Sequence, residues 1–358
     1  MKVCIIGDGL VSLTLANVLI QKNLSVDIIF NSKNKKFNKT RTLGISKSNI
    51  EYFNKEVADI KKVLWEIKNI KIYAENLSNK EILNFTNDKK QIFSIIKNYK
   101  LYEILSKNLK KSKFVKFKKN KSYKNIIKEK YKLIINCDPN HEVTKLFSPG
   151  RFEKNYNSYA YTAIINHKKM SANDTAFQNF TKNGPIAFLP LSNTETSVVY
   201  SLRTNKNTID IKRLIEKFNP TYSIIKINDG VRFELKSSSP RKYYKGNILA
   251  FGDLIHKIHP LAGQGFNMSL RDIKLLSKLI DERINIGLDL DGSLCREFQK
   301  KAQDKNYIFS SGIDWIYELF NFESKINTKL ISKTINVIGK NKFINSFFKN
   351  FADSGIRI

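Results

Sequence analysis

Gly252-Asp253-Leu-Ile-His256-Lys-Ile-His259-Pro260-Leu-Ala-Gly263-Gln264-Gly265-Phe266-Asn267 reads as a loop between two regular elements. The apolar run Asn247-Ile-Leu-Ala-Phe251 enters it as a buried strand, and Leu270, Ile273, Leu276 and Ile280, at helical spacing, carry the chain away. A strand, loop and helix in that order put one carboxylate at the strand end and unpaired backbone N–H groups at the helix mouth, where negative charge on a ligand is favoured.

Working outward, the N-terminus repeats the arrangement. Val3-Cys-Ile-Ile6 reads as a buried strand, Gly7-Asp-Gly9-Leu-Val-Ser12 as a glycine-rich turn, and Leu15, Ala16, Leu19 and Ile20 as one face of a helix before a second strand, Ser25-Val-Asp-Ile-Ile-Phe30. Such a βαβ unit lets a backbone approach a pyrophosphate, although an ordinary tight turn has the same outline. Ser12 stands where a third glycine would ease packing, and the second strand ends in Phe30-Asn31, where a carboxylate would bind ribose hydroxyls.

Further strands are expected at Tyr131–Asn136, Tyr156–Asn166, Ala187–Leu191 and Thr196–Leu202, with β character over Ile82–Phe93 and a turn at Gly184-Pro185. Helices are expected near Ser48–Tyr52, over Asn98–Leu109, and from Cys295 to Leu319. The fold class is therefore α/β: a Rossmann-like domain in two parts, 1–150 (with a basic helical segment about 97–132) and 246–285, an antiparallel β-sheet domain inserted at 151–245, and a helical C-terminal region, 286–358.

Charge narrows the partners. With 63 Lys+Arg against 32 Asp+Glu the chain carries +31, and fourteen of those lysines fall between Lys97 and Lys132. That segment reads either as a solvated face or as a contact for anionic lipid. No helix-turn-helix, zinc-finger or RNA-recognition pattern organises the charge, so nucleic acid is not an expected partner. The tail from Ile326 to Phe351 combines lysines with Ile331, Ile335, Ile338, Phe343, Phe347 and Phe348, suited to packing on the domain or to a membrane surface.

Cys4, Cys137 and Cys295 form no CxxC pair, which argues against a disulfide framework or a structural zinc site. Val3–Ile20 is interrupted by Asp8, Asn17 and two glycines and does not read as a signal peptide. A reduced, cytoplasmic setting is expected. His256 and His259 share the opening loop without a third ligand nearby, so no metal is expected.

Three stretches together resemble the ubiquinone-biosynthesis branch of FAD-dependent aromatic monooxygenases, which have the para-hydroxybenzoate hydroxylase fold. They are the opening loop extended through Leu270-Arg271-Asp272, the segment Ala176-Phe-Gln178-Asn-Phe180-Thr with Gly184-Pro185-Ile-Ala-Phe188-Leu-Pro190-Leu191, and Gly7, Gly9 and Ser12 with Arg41. The resemblance implies cofactor contacts at Gly7, Gly9, Ser12, Arg41, Asn98, Asp138, Asp253, Pro260, Gly263, Gln264, Gly265, Phe266 and Asn267. Asp253 would bond the ribityl chain, and Pro260–Asn267 would lie along the flavin ring. Only Asp138 survives of the family's central Asp motif, in Asn136-Cys-Asp138-Pro139. Gln178, Phe188 and Pro190 are candidates for a substrate wall or for sheet packing, and His259 for a catalytic or a structural role.

The implied activity is hydroxylation of the aromatic ring of a polyprenylated ubiquinone precursor, a polyprenyl-phenol or quinone intermediate, with FAD, NAD(P)H and O2. The implied location is peripheral, on the inner face of the cytoplasmic membrane, alongside other ubiquinone-biosynthesis proteins. The competing reading is a scaffold or lipid-binding subunit that keeps the fold without catalysis.

Overall fold

Val3, Cys4, Ile5 and Ile6 have no solvent-accessible surface, and Leu133 and Ile135 are equally enclosed. Apolar on both faces, such strands need helices above and below, and the chain meets that need with a parallel sheet. The computed structural model describes residues 1–30, 38–75, 80–86, 91–119, 121–203, 210–259 and 263–326. Strand β1 (Lys2–Ile6) is central, flanked by β2 (Ser25–Phe30) and β9 (Leu133–Asn136), then by β8 (Val115–Lys119) outside β2 and β16 (Ile248–Ala250) outside β9. All of these pairs are parallel; the short edge strand β15 (Tyr244–Lys245) runs antiparallel to β16. Helices α1 (Leu10–Gln21), α3 (Asn98–Lys111) and α6 (Gln264–Asn285) share one core with this sheet through Leu13, Leu15, Leu105, Leu270 and Ile273.

The basic segment 97–132 is not wholly helical. Between α3 and α4 (Tyr123–Lys128) lies β8, whose sequence Val-Lys-Phe-Lys-Lys alternates too briefly to stand out against the surrounding lysines. A charge cluster fastens this edge: Asp27 takes Lys118 at 2.8 Å and Lys2 at 2.9 Å, and Tyr131 donates to it at 2.6 Å. Burial alone would raise the Asp27 carboxyl, but the hydrogen bonds from Lys118, Tyr131 and Lys2 outweigh it and hold the group below its ordinary value.

The second sheet has seven strands in the order β14 (Ile224–Pro240), β10 (Arg151–His167), β13 (Glu195–Leu202), β12 (Gly184–Pro190), β11 (Thr175–Thr181), β5 (Asn69–Ala74), β6 (Lys80–Thr86). It is neither confined to 151–245 nor purely antiparallel, because β5 and β6 come from the first part of the chain and β5 runs parallel to β11, Asn69 facing Thr175. The partner of β11 is about a hundred residues away, a distance that local alternation cannot signal. The turn expected at Gly184-Pro185 is centred on Lys182-Asn183 instead, and Gly184 opens β12 at φ +124°.

The β-like stretch 82–93 divides between two sheets. Its first part ends β6, and its last residue begins β7 (Phe93–Lys97), which joins β3 (Thr42–Ser46) and β4 (Trp65–Ile67) in a three-stranded sheet. Helix α2 (Lys47–Glu56) follows β3, α5 (Ile211–Phe218) covers one face of the large sheet, and α7 (Gly292–Ile326) is the last described element. The amphipathic stretch from 327 onward lies outside the described residues.

Candidate functional site

The carboxyl ends of β1, β9 and β16 come together where α1 begins. Cys137 N donates to Ile6 O at 2.9 Å, and Phe251 N to Asn136 O at 2.9 Å, so the three strand exits are tied side by side. Gly7 takes φ +106°, and a Cβ there would stand 3.3 Å from Asp138 Cβ, Asp138 N and Ser12 Oγ. Gly9 caps α1 without a side-chain bond and has open space around it, so the first-turn N–H groups remain available, as an anion site requires. Buried Ser12 thus fits against the turn in place of a glycine.

Asp253 is exposed in the short 3-10 turn Gly252–Leu254 directly after β16. Burial pushes the Cys137 thiol up to about 12; the Ser12 hydroxyl opposes this, and the charges of Asp253 and Asp138 add to it, so both carboxylates reach the same strand end. Asp138 is partly committed to a turn, accepting from Asn140 N at 2.9 Å while its carbonyl accepts from Thr144 Oγ1 at 2.7 Å. At the end of β2, Phe30 packs edge-on against Phe117, and no carboxylate stands at that position.

Arg41 and Asn98 are brought together at the paired ends of β3 and β7, where Asn98 N donates to Arg41 O at 3.0 Å. The Arg41 guanidinium lies over the Phe233 ring at 5.4 Å. Asn98 Oδ1 is buried and has no hydrogen-bond partner among the described residues. Such an oxygen is costly unless something fills its place.

The start of α6 divides the expected ring contacts. Gly263, at φ +64°, caps the helix without a side-chain bond and sits beside Gly44, and Gly265 faces open space. Phe266 is buried in the core of the parallel sheet, and Gln264 accepts from Arg271 at 3.3 Å. Asn267 is turned into the protein: its Oδ1 accepts from Ser46 N and Asn49 Nδ2, both at 3.0 Å, and its Nδ2 donates to Gly44 O at 2.9 Å. It therefore holds β3 against α6 and does not itself offer its amide to a ligand. Asn267→Ala orphans these buried groups and should lower the urea midpoint by an amount equivalent to about 2 kcal/mol. Pro260 lies outside the described residues.

The two histidines differ. His256 Nε2 meets Asp272 Oδ2 at 2.5 Å, and Asn306 Nδ2 donates to Asp272 Oδ1 at 3.1 Å, joining the loop, α6 and α7. Burial alone would lower the His256 pKa, but the charge of Asp272 and the bond to it prevail and raise it. His259 is fully buried between Tyr156 (5.0 Å, edge-on) and Tyr317 (4.2 Å), and neither ring nitrogen has a partner among the described residues. Burial lowers its pKa to about 3, which favours the neutral ring near neutral pH. Neither tyrosine carried a local sequence signal, being contributed by β10 and α7.

Of the substrate-wall candidates, only Gln178 is on the inner face of the large sheet. The register sets Gln178, Ala187, Val199 and Thr162 in one row, and Thr162 Oγ1 meets Thr40 Oγ1 at 3.3 Å beside Arg41. Phe188 and Pro190 alternate to the other face, where Phe188 packs with Ile215 and Phe218 of α5 and with Tyr222. Those two belong to sheet packing, since a strand's side chains change face at every residue.

A family model described as FAD binding domain matches residues 181–285. The chain is 26% identical over 235 residues to ubiquinone biosynthesis monooxygenase COQ6, mitochondrial, of Danio rerio, covering 53% of this chain and 48% of that protein. It is 28% identical over 201 residues to 3-demethoxyubiquinol 3-hydroxylase of Escherichia coli (strain K12), covering 53% and 51% respectively. The chain spans about half the length of the curated relatives it matches. Among solved structures it is similar to Klebsiella pneumoniae HpxO complexed with FAD and uric acid, with TM-score 0.77 at 12% identity over 99% of this chain and 97% of that one. It is also similar to p-nitrophenol 4-monooxygenase PnpA from Pseudomonas putida DLL-E4, with TM-score 0.74 at 14% identity over 99% and 98%. The fold is the one shared by HpxO and PnpA, and over about half its length the sequence is similar to the ubiquinone biosynthesis monooxygenase COQ6 and to 3-demethoxyubiquinol 3-hydroxylase.

Proposed function

We propose that this chain binds FAD across the strand exits of β1, β9 and β16 and the start of α6, and hydroxylates the aromatic ring of a polyprenylated ubiquinone precursor with NAD(P)H and O2. The observation that carries this is the cradle at Gly7, where a Cβ would stand a tight 3.3 Å from Asp138 and Ser12, in front of an uncapped helix. The orphaned Asn98 Oδ1 fits the same cofactor, because a polar edge of the ligand would satisfy it.

When bound, FAD supplies the redox and oxygen-activating chemistry. The chain's own residues do the rest. N–H groups at the start of α1 would hold the pyrophosphate, Asp253 would accept from a ribityl hydroxyl, and the Gly263-Gln264-Gly265 end of α6 would favour negative charge at the ring's pyrimidine edge. Gln178 and the row it shares with Val199 and Thr162 would face the substrate ring. His259, enclosed by Tyr156 and Tyr317, helps shape and dry the adjoining wall.

The test is direct. Purified chain reconstituted with FAD should show bound-flavin absorption and should convert a prenylated phenol to a product heavier by one oxygen. Asp253→Ala should weaken FAD retention about tenfold while leaving the urea midpoint almost unmoved, since the residue is exposed. Unchanged retention and turnover would sink this assignment. The absence of a carboxylate at Phe30 and the engagement of Asp138 in a turn favour the second reading, a non-catalytic scaffold of a quinone-biosynthesis assembly. Failure to bind FAD at micromolar concentration would support that reading.

We also place the chain at an anionic membrane surface, on the inner face of the cytoplasmic membrane and beside other ubiquinone-biosynthesis proteins. A net charge of +31 supports this, as does the insolubility of a polyprenyl chain in water.

A further inference from the structure

Helix α7 has two apolar faces, and the described residues bury only one. Phe309, Ile313 and Tyr317, four apart, are buried: the first two join Phe180 and Met268 in a small core, and Tyr317 lies on His259. On the opposite side, Ile308, Trp315, Leu319 and Phe322 recur at i, i+7, i+11 and i+14 and are 45%, 69%, 40% and 57% exposed. The same line passes Ser311 and Gly312, so it carries no charge from 308 to 322, a length of about 21 Å at 1.5 Å per residue. Exposed Lys301, Asp304 and Lys305 stand at its upstream end, and Glu318, paired with Lys154 at 2.8 Å, borders it.

We propose that this stripe is the membrane-seating face of the protein, lying in the plane of an anionic bilayer with Trp315, Leu319 and Phe322 among the upper acyl chains. Three observations select that occupant. A second copy of a chain carrying +31 is repelled, whereas an anionic surface attracts it. Four side chains on one helix fall short of the roughly 800 Å² per partner that a stable protein interface buries. The largest exposed group is a tryptophan, the side chain best suited to the boundary between head groups and hydrocarbon. No described helix is long and apolar enough to cross a membrane, so the contact is in-plane.

This inference rests on the proposed action on a polyprenylated ring and gives that substrate a route. The outer face of α7 meets lipid, while its inner face adjoins Phe180 and His259, beside the inner face of the large sheet.

The chain contains two tryptophans, so Trp65→Phe leaves Trp315 as the sole reporter. This full-length variant, loaded with FAD, is mixed with phosphatidylglycerol–phosphatidylcholine vesicles or with phosphatidylcholine alone. It should sediment with the anionic vesicles, its emission should shift to the blue, and acyl-brominated lipid should quench it. Trp315→Ser combined with Leu319→Ser should weaken partitioning by about tenfold or more while bound-flavin absorption and far-ultraviolet dichroism persist.

Sedimentation without quenching would overturn the stripe and leave the membrane reading standing. Absence of sedimentation at low salt would overturn both. A concentration-dependent dimer in which Trp315 is shielded from an aqueous quencher would assign the face to a second copy instead. The flavin spectrum and the hydroxylation assay decide the enzymatic reading independently of each of these results.

Discussion

Asp272→Ala is expected to lower the stability of the folded chain by about 3–5 kcal/mol, the effect of removing one partner from a buried charge pair. The carboxylate bonds His256 on one side and Asn306 on the other, so its loss leaves a buried imidazole and a buried amide unsatisfied and frees the loop from both helices. The measurement is the midpoint of urea unfolding for wild type and variant across pH. His256 has its pKa raised in the fold above the ordinary 6.5. Its contribution is therefore complete below about pH 6.5, where it is protonated even when unfolded, and is lost as pH rises through the raised value. The gap between wild type and variant should accordingly be widest in mild acid and narrow toward alkaline pH. A gap that widened with pH would reverse the assigned charge state.

Gly7→Ala is expected to give a folded chain whose affinity for FAD is about a hundredfold weaker, equivalent to about 2.7 kcal/mol. An alanine at φ +106° is strained, and its methyl, 3.3 Å from Asp138 and Ser12, forces the turn to open by a few tenths of an ångström. That shift moves the first N–H groups of α1 away from the pyrophosphate they are proposed to hold. Ligand-induced stabilisation reads it out: at free FAD one hundred times the wild-type Kd the wild type gains about 2.7 kcal/mol, and a hundredfold weaker variant about 0.4 kcal/mol. Equal gains in the two proteins would show that the Gly7 turn does not touch the cofactor.

The glycine turns, the strand exits and the loop carrying Asp253 were legible because each is local: a run of apolar residues, a glycine, and a helical repeat occupy a few dozen consecutive positions. The role of Asn267 was not legible. Its place beside Gly263 and Gly265 suggests a ligand contact, but its amide is consumed by Gly44, Ser46 and Asn49, over two hundred residues earlier. Phe188 and Pro190 stayed open between substrate wall and sheet packing for a related reason, since alternation identifies a strand's two faces without saying which one meets the site and which one, as with Phe188, meets α5. Strand β8 was hidden because lysine is compatible with either periodicity, and its pairing with β2 is secured by Asp27 from one segment and by Glu129 and Tyr131 from another.

By itself, then, the sequence determined the βαβ opening, the return strand with its acidic turn, and the helix that carries Leu270, Ile273, Leu276 and Ile280, because short-range sterics and hydrophobic periodicity act within each of them. Only the tertiary structure decided that β5 and β6 extend the large sheet, that Asn267 positions β3, that His256 is paired while His259 is enclosed, and that one face of α7 is left uncovered by the described residues. Each of these depends on which distant group arrives to bury a surface or to satisfy a polar atom, and that is settled by the packing of the whole chain.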